Sequence, residues 1–195
     1  MLVSAEGLDG SGCTTLVEGI EQNYQNVVTT AEPSDLQFGQ QVKERLASPE
    51  SNALIDCYLF MADRIHHVNE LIQPNDHTDS LVVTDRYTDS TRAYQPVALT
   101  NTGYFDSTQA ARAWIEQTMS PWKYEPDLTL YIDISVNTAL QRCGQADKYE
   151  RRQFLEGVKE QYEAIAESEE HGNRIVRIDG EQSPESVLQQ SMEAI

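Results

Sequence analysis

Five short apolar runs recur along the chain, each bounded by polar or turn-forming residues: LVSAE (2–6), NVVTT (26–30), SLVVTD (80–85), DLTLYIDI (127–134) and RIVRIDG (174–180). Their length and β-branched content predict strands. The segments between them carry apolar residues at helical spacing. In residues 52–73, Leu54, Tyr58, Met61, Ile65, Val68 and Ile72 fall on one face, and Phe60, Arg64, His67 and Leu71 on a neighbouring one, which predicts a helix buried on more than one side. Other helices are predicted from near Thr14, after EPSD with Ser34 or Asp35 as cap, and after Ser183 with Pro184 in the first position. Strand–helix alternation predicts an α/β fold: a mostly parallel sheet of about five strands flanked by helices. In such sheets ligands bind beyond the carboxyl ends of the strands. A glycine-rich turn, Glu32 and Asp85 all sit at those ends.

Composition narrows this picture. The 195 residues suit one domain, 1–195. No apolar run approaches the roughly 18 residues of a membrane span. The opening MLVSAEG reads as a strand rather than a signal peptide, so a soluble cytoplasmic protein is expected. Cys13, Cys57 and Cys143 have no metal-binding spacing and are expected to be reduced thiols. The formal net charge is −18, and the lysines are Lys43, Lys123, Lys148 and Lys159 alone. Such a field repels nucleic-acid phosphates. On a folded core, an acidic surface poor in lysine suits a high-salt cytoplasm, where ions screen the self-repulsion.

Candidate chemistry begins at EGLDGSGCTT, residues 6–15. Gly7, Gly12 and Thr14 have the spacing of a phosphate-binding loop, G-x-x-x-x-G-K-[ST]. Gly7, Gly10 and Gly12 permit a concave run of backbone N–H groups leading into a helix N-terminus, and both features attract phosphate. Leu8, Asp9, Ser11 and Thr15 complete the loop, and Thr14 offers a hydroxyl to magnesium. Cys13 stands where the lysine belongs. At a helix N-terminus its thiol is expected to be acidified, and a thiolate would oppose the nucleotide.

These elements occur in the order found in thymidylate kinases: EGLDGSG, AEP, LFMADR, TDRYTDSTRAYQ, PDLTLYIDI and DKYE. The chain resembles that family, most closely its haloarchaeal members, over nearly its whole length. The resemblance implies a nucleoside monophosphate kinase fold, ATP and Mg2+ as cosubstrate and cofactor, dTMP as acceptor, and a homodimer. By the same resemblance Phe60 stacks on the thymine, Arg64 reaches the base edge, and Glu32 and Pro33 match the family's acid–proline segment. Ser90 and Gln95 line the pocket, and Tyr94 presses on the deoxyribose. Asp85 and Thr14 lie by the metal, and Arg86, near Asp9, bridges the acceptor and donor phosphates. A lid of about residues 142–152 brings Tyr149 over the nucleotide and offers Arg142, Lys148, Arg151 and Arg152 to phosphate. Plainer alternatives are core packing for Phe60, a surface pair with Asp63 or Glu70 for Arg64, a strand-end pair between Asp85 and Arg86, and helical pairing with Glu156 for the lid cations.

Two positions depart from the family pattern. Besides Cys13, Ala31 replaces the arginine of its R-E-P segment. The implied reaction moves the γ-phosphoryl group of ATP to the 5′-phosphate of dTMP, an acceptor already ionised. Positioning and charge neutralisation then matter more than a base, and His66 and His67 are expected on the helix surface without a catalytic part. Losing two cations predicts slowed transfer. The rivals are a catalytically weak nucleotide-binding protein and a kinase for another pyrimidine deoxynucleotide such as dUMP.

Overall fold

The computed structural model describes residues 1–48, 52–144 and 149–195, with the backbone alone at 149 and 150. In chain order the elements are β1 (Leu2–Gly7), α1 (Cys13–Asn23), β2 (Val27–Ala31), α2 (Gln37–Leu46), α3 (Ala53–His67), α4 (Gln73–Asp76) and β3 (Leu81–Asp85). They continue with α5 (Thr88–Asn101), α6 (Thr108–Met119), β4 (Leu128–Asp133), α7 (Val136–Arg142), α8 (Tyr149–Ala166), β5 (Ile175–Asp179) and α9 (Pro184–Ala194). All five expected strands form, in the order β2-β3-β1-β4-β5, and every pairing is parallel.

The two faces of the sheet differ in chemistry because alternate residues of a strand point opposite ways. Val3 and Ala5 of β1 share one face with Val83, Leu130 and Ile132. There they cluster with Leu16 and Ile20 of α1 and Val187 of α9. On the other face stand Ser4, Glu6 and Thr129, all buried. Ser4 and Thr129 hydrogen-bond across β1 and β4 at 3.0 Å. Here α5 and α8 pack over Tyr131 through Ala93, Val97, Leu155 and Val158. A buried face with polar side chains needs internal partners for each of them, and those partners lead to the site.

Three local expectations are corrected. Neither Ser34 nor Asp35 caps α2, whose N-cap is Leu36 without a side-chain bond. Ser34 is instead drawn inward: its N–H and hydroxyl both donate to buried Asp63, at 2.8 and 2.5 Å. In the 52–73 segment a π-turn at Val68–Ile72 separates α3 from α4. The stripe expected to be buried divides, with Met61, Val68 and Ile72 inside but Tyr58 and Ile65 exposed. The buried face of α3 centres on Cys57, Met61, Arg64 and His67, because polar pairs inside recruit it as much as apolar ones. His67 is fully buried, not on the surface.

Candidate active site

β1 runs to β2 past β3, while the chain from β3 returns to β4 on the other side of β1. The carboxyl ends of β1 and β3 therefore border a topological switch point, where open α/β sheets bind ligands. The glycine-rich turn leaves β1 there. Gly10 and Gly12 have φ of +81° and +102°, angles that disfavour any side chain. Helix α1 follows with no side-chain cap and no acid in its first turn, so its positive end is open to an anion.

Two cavities meet at this point. The first, about 620 Å³, is lined by the glycine turn from Leu8 and Gly10 through Thr15, with Asp85, Arg142 and Gly180. The second, about 540 Å³, is lined by Phe60, Arg64, Ser90, Tyr94 and Gln95, together with Asp9 and Arg151. Glu32, Pro33 and Arg86 line both.

Arg86 holds this boundary. Its guanidinium donates to Gly7 O (3.1 Å), Ser90 Oγ (3.1 Å) and Asp9 Oδ1 (2.9 Å). It also lies over the Tyr94 ring, 5.0 Å from the centroid. Its backbone is left-handed, φ +68°, a conformation uncommon outside glycine. Asp9 gathers the contacts: Tyr94 OH donates to its Oδ1 at 3.0 Å, and Arg151 pairs with its Oδ2. Asp85 does not pair with Arg86; it accepts the Thr14 hydroxyl at 2.5 Å. A hydroxyl and a carboxylate in contact are hard oxygen donors, and they fit magnesium, which takes oxygen ligands.

Arg64 and Glu32 form a buried pair, Nε to Oε2 at 2.9 Å, and Arg64 also donates to Thr91 Oγ1 at 2.9 Å. The guanidinium rests 4.9 Å above the Tyr87 ring centroid. Its pairing is thus internal and with Glu32, not a surface pair, and Asp63 is itself buried and bonded to Ser34. Burial alone would raise the Glu32 carboxyl; Arg64 and the His67 hydrogen bond reverse that and hold it below the usual range. His67 bridges Glu32 Oε1 (3.1 Å) and Thr30 Oγ1 (2.7 Å).

Cys13 is corrected in character. It is buried, belongs to the apolar cluster under α1, and lies 3.2 Å from Ser11 Oγ. Burial pushes its thiol up to about 12. Desolvation outweighs the pull of the Arg86 charge and the Ser11 hydrogen bond, which keeps the thiol neutral at pH 7, so no thiolate opposes a phosphate. Arg152 is corrected in place. It lines neither cavity and pairs with Glu156 along α8 at 3.9 Å, since one residue on from Arg151 is about 100° round a helix. Arg142 lines the first cavity and braces the glycine turn, donating to Gly10 O at 3.1 Å and Gly180 O at 3.2 Å. Lys148 lies outside the described residues, as does the side chain of Tyr149.

Several partners were missed from the sequence. Phe154 lines the second cavity, and its place three residues after Arg151 was the available signal. Glu6 is fully buried below Ser90, accepting its hydroxyl at 2.5 Å. An acid in an otherwise apolar strand was the sign there.

Comparison with known proteins decides the family. The family model for thymidylate kinase matches residues 5–191. The chain belongs to the thymidylate kinase family. A probable thymidylate kinase from Halobacterium salinarum is 37% identical over 189 residues, covering 96% of this chain and 92% of the relative. One from Halorubrum lacusprofundi is 34% identical over 188 residues, covering 96% and 93%. The crystal structure of thymidylate kinase from Ehrlichia chaffeensis superposes with a TM-score of 0.75 at 25% identity, covering 99% of this chain and 97% of that one. As a thymidylate kinase family member the chain is a nucleoside monophosphate kinase in fold and class. Among the described residues, no helix is long and apolar enough to cross a membrane.

Proposed function

We propose that this protein transfers the γ-phosphoryl group of ATP to dTMP, giving dTDP and ADP, at a rate lowered by the missing loop lysine. One observation carries the reading: Arg86 lies in the common wall of two cavities, one rimmed by the glycine turn and the other by Phe60, Arg64 and Tyr94. ATP would place its phosphates along the glycine turn and the first N–H groups of α1. dTMP would place its base against Phe60 and Arg64, with the sugar against Tyr94. Arg86 then faces both phosphates, where a planar guanidinium suits the charge of the transferring group. Thr14 and Asp85 would hold Mg2+, which when bound neutralises phosphate charge. Asp9 fixes Arg86 and ties Arg151 at the acceptor cavity, so Arg151 would be a lid cation placed to cover part of the missing lysine charge.

The test is a coupled ADP-release assay with dTMP, ATP and magnesium in high potassium chloride, with dUMP as competitor substrate. Expected is measurable turnover on dTMP, below the ~1–100 s⁻¹ common for kinases, and preference over dUMP. A second reading, a nucleotide-binding protein without useful turnover, draws on Cys13 and Ala31; both nucleotides binding by calorimetry with no ADP formed would favour it. Faster turnover on dUMP would move the acceptor assignment.

A further inference from the structure

Glu6 ends the polar side of β1 with no solvent exposure. Its Oε1 accepts the Tyr87 N–H at 2.8 Å, and its Oε2 accepts the hydroxyls of Ser90 at 2.5 Å and Tyr162 at 3.0 Å. Ser90 Oγ in turn accepts from Arg86 Nη1 at 3.1 Å. A guanidinium only donates, an ionised carboxylate only accepts, and a serine hydroxyl has one proton. With Glu6 ionised, Arg86 donates to Ser90, the 2.5 Å contact to Glu6 takes the Ser90 proton, and Tyr162, which is also 3.0 Å from Ser90 Oγ, is left to donate. Ser90 has no proton left for a base, although it lines the acceptor cavity. Of the remaining holds on Arg86, Asp9 is shared with Arg151 and lies partly exposed. Gly7 O holds Arg86 through the β1 backbone, and the chain through Ser90 is the side-chain hold that reaches a buried charge.

We infer that Glu6 is a positioning residue for phosphoryl transfer: acting through Ser90, its carboxylate holds the Arg86 guanidinium in the wall between the two cavities. The functional part of this rests on the phosphoryl-transfer reading above. The groups facing Glu6 are Arg86 and Asp89 around the start of α5, Tyr162 from α8, Cys13 from α1 and Arg64 from α3. Burial, with the Asp89 charge adding, pushes the Glu6 carboxyl up to about 7. Asp89 is held at about 2, Cys13 is near 12 and Tyr162 lies well above its ordinary range. A titration near neutrality sensed at Arg86 and lost in Glu6→Gln is therefore assignable to Glu6. Protonation removes the Glu6 charge and its demand for the Ser90 proton, which can turn to Tyr162 Oη at 3.0 Å, so the charge-assisted link from Glu6 through Ser90 to Arg86 weakens.

The experiment compares wild type, Glu6→Gln, Glu6→Asp and Ser90→Ala. In unliganded protein, which removes the titrating phosphates of substrate, nitrogen NMR of the Arg86 guanidinium is followed from roughly pH 5.5 to 8.5, bracketing the carboxyl's raised range. Expected is one midpoint near 7 in wild type, no such step in Glu6→Gln, and a step reduced by at least about half in Ser90→Ala. In steady-state assays Glu6→Gln should lose about 10- to 100-fold in kcat, as expected of a misplaced catalytic group, with the KM for dTMP changed less than about threefold, and should lose the acidic limb of the kcat profile. Glu6→Asp, which keeps the charge, should recover part of kcat and the limb. If Glu6→Gln does not fold, Ser90→Ala and Glu6→Asp carry the test. An Arg86 signal flat in wild type, or kcat in a folded Glu6→Gln or Ser90→Ala variant within about twofold of wild type, overturns the inference. Wild type without turnover on dTMP would sink the phosphoryl-transfer reading alone; the NMR series would still decide whether Glu6 holds Arg86.

Discussion

Cys13 is the residue at which the sequence pattern and the chemistry pull apart. The glycines that shape the phosphate turn are present, with φ of +81° at Gly10 and +102° at Gly12, and they act through backbone. The missing element is one cation. Because Cys13 lines the first cavity as well as the core, Cys13→Lys gives a side chain that can extend along the cavity. The expected result is a kcat raised by ~10-fold or more, about 1.4 kcal/mol in barrier, with a smaller change in dTMP affinity, since the charge acts on the transferring group. Unchanged kcat with both nucleotides bound would point to Ala31 instead. Phe60 supplies a second test at this scale. It is half-buried on the wall of the second cavity, and base–aromatic stacking is worth ~1–3 kcal/mol by alanine substitution in nucleic-acid systems. Phe60→Ala should weaken dTMP binding by that amount in calorimetry while leaving ATP binding unchanged; equal affinity would place Phe60 in the core alone. Residues of this kind were legible because each belongs to a short motif. Arg151 and Arg152 were not separable in sequence, because only the helical phase of α8 decides which of them faces Asp9.

At the scale of elements, the five strands were legible in their apolar runs, but the polar links that aim α3 and α5 at the site were not. Ser4, Glu6 and Thr129 look like interruptions in strands until their partners on distant segments are known. The same holds for Asp89, which lies at the start of α5 and is 1% exposed. It pairs with Arg92 at 3.0 Å and with Arg174, just before β5, at 2.7 Å. Glu125 and Glu116 complete the shell around Arg92, each at 2.6 Å. Burial alone would raise the Asp89 carboxyl; hydrogen bonds and charge from Arg174 and Arg92 bring it down to about 2. Removing one member leaves two buried guanidinium groups short of an acceptor, so Asp89→Asn should destabilise the fold by ~3–5 kcal/mol. The sign with pH follows from the depressed value. The stabilisation is complete above the unfolded carboxylate's pKa near 4 and is lost as pH falls toward 2. Denaturant melts should therefore show the gap between wild type and Asp89→Asn at pH 7 closing between about pH 4 and 2. A gap that is small at pH 7, or that does not change with acid, would show that the network is dispensable.

For the whole molecule, charge is the governing term. A net charge of −18 on 195 residues must be carried at a surface where only part is neutralised in place. Some of the cations that could offset it are committed inward. Arg64 and Arg92 are buried, and Arg86 and Arg174 are mostly so, each held by acidic partners. Exposed acids such as Glu18, Glu21, Glu44 and Glu169 add to a field that opposes compaction. The range of that field is set by the solvent, since the Debye length is ~30 Å at 0.01 M salt and ~3 Å at 1 M. At low ionic strength repulsion acts across the whole molecule; at molar salt it reaches only neighbouring side chains. The melting temperature should therefore rise with potassium chloride through the molar range. Sodium chloride should act in the same direction, because screening does not depend on the cation's identity. Buried pairs such as Arg64–Glu32 are screened far less, so the gain comes from relieved surface repulsion and should shrink in a variant with several exposed glutamates changed to glutamine. A melting temperature that is flat or falls with salt would overturn the high-salt reading, whatever the resemblance to haloarchaeal relatives. A rise in both wild type and the glutamine-substituted variant, equal in size, would trace the effect to salt-strengthened apolar burial instead of charge.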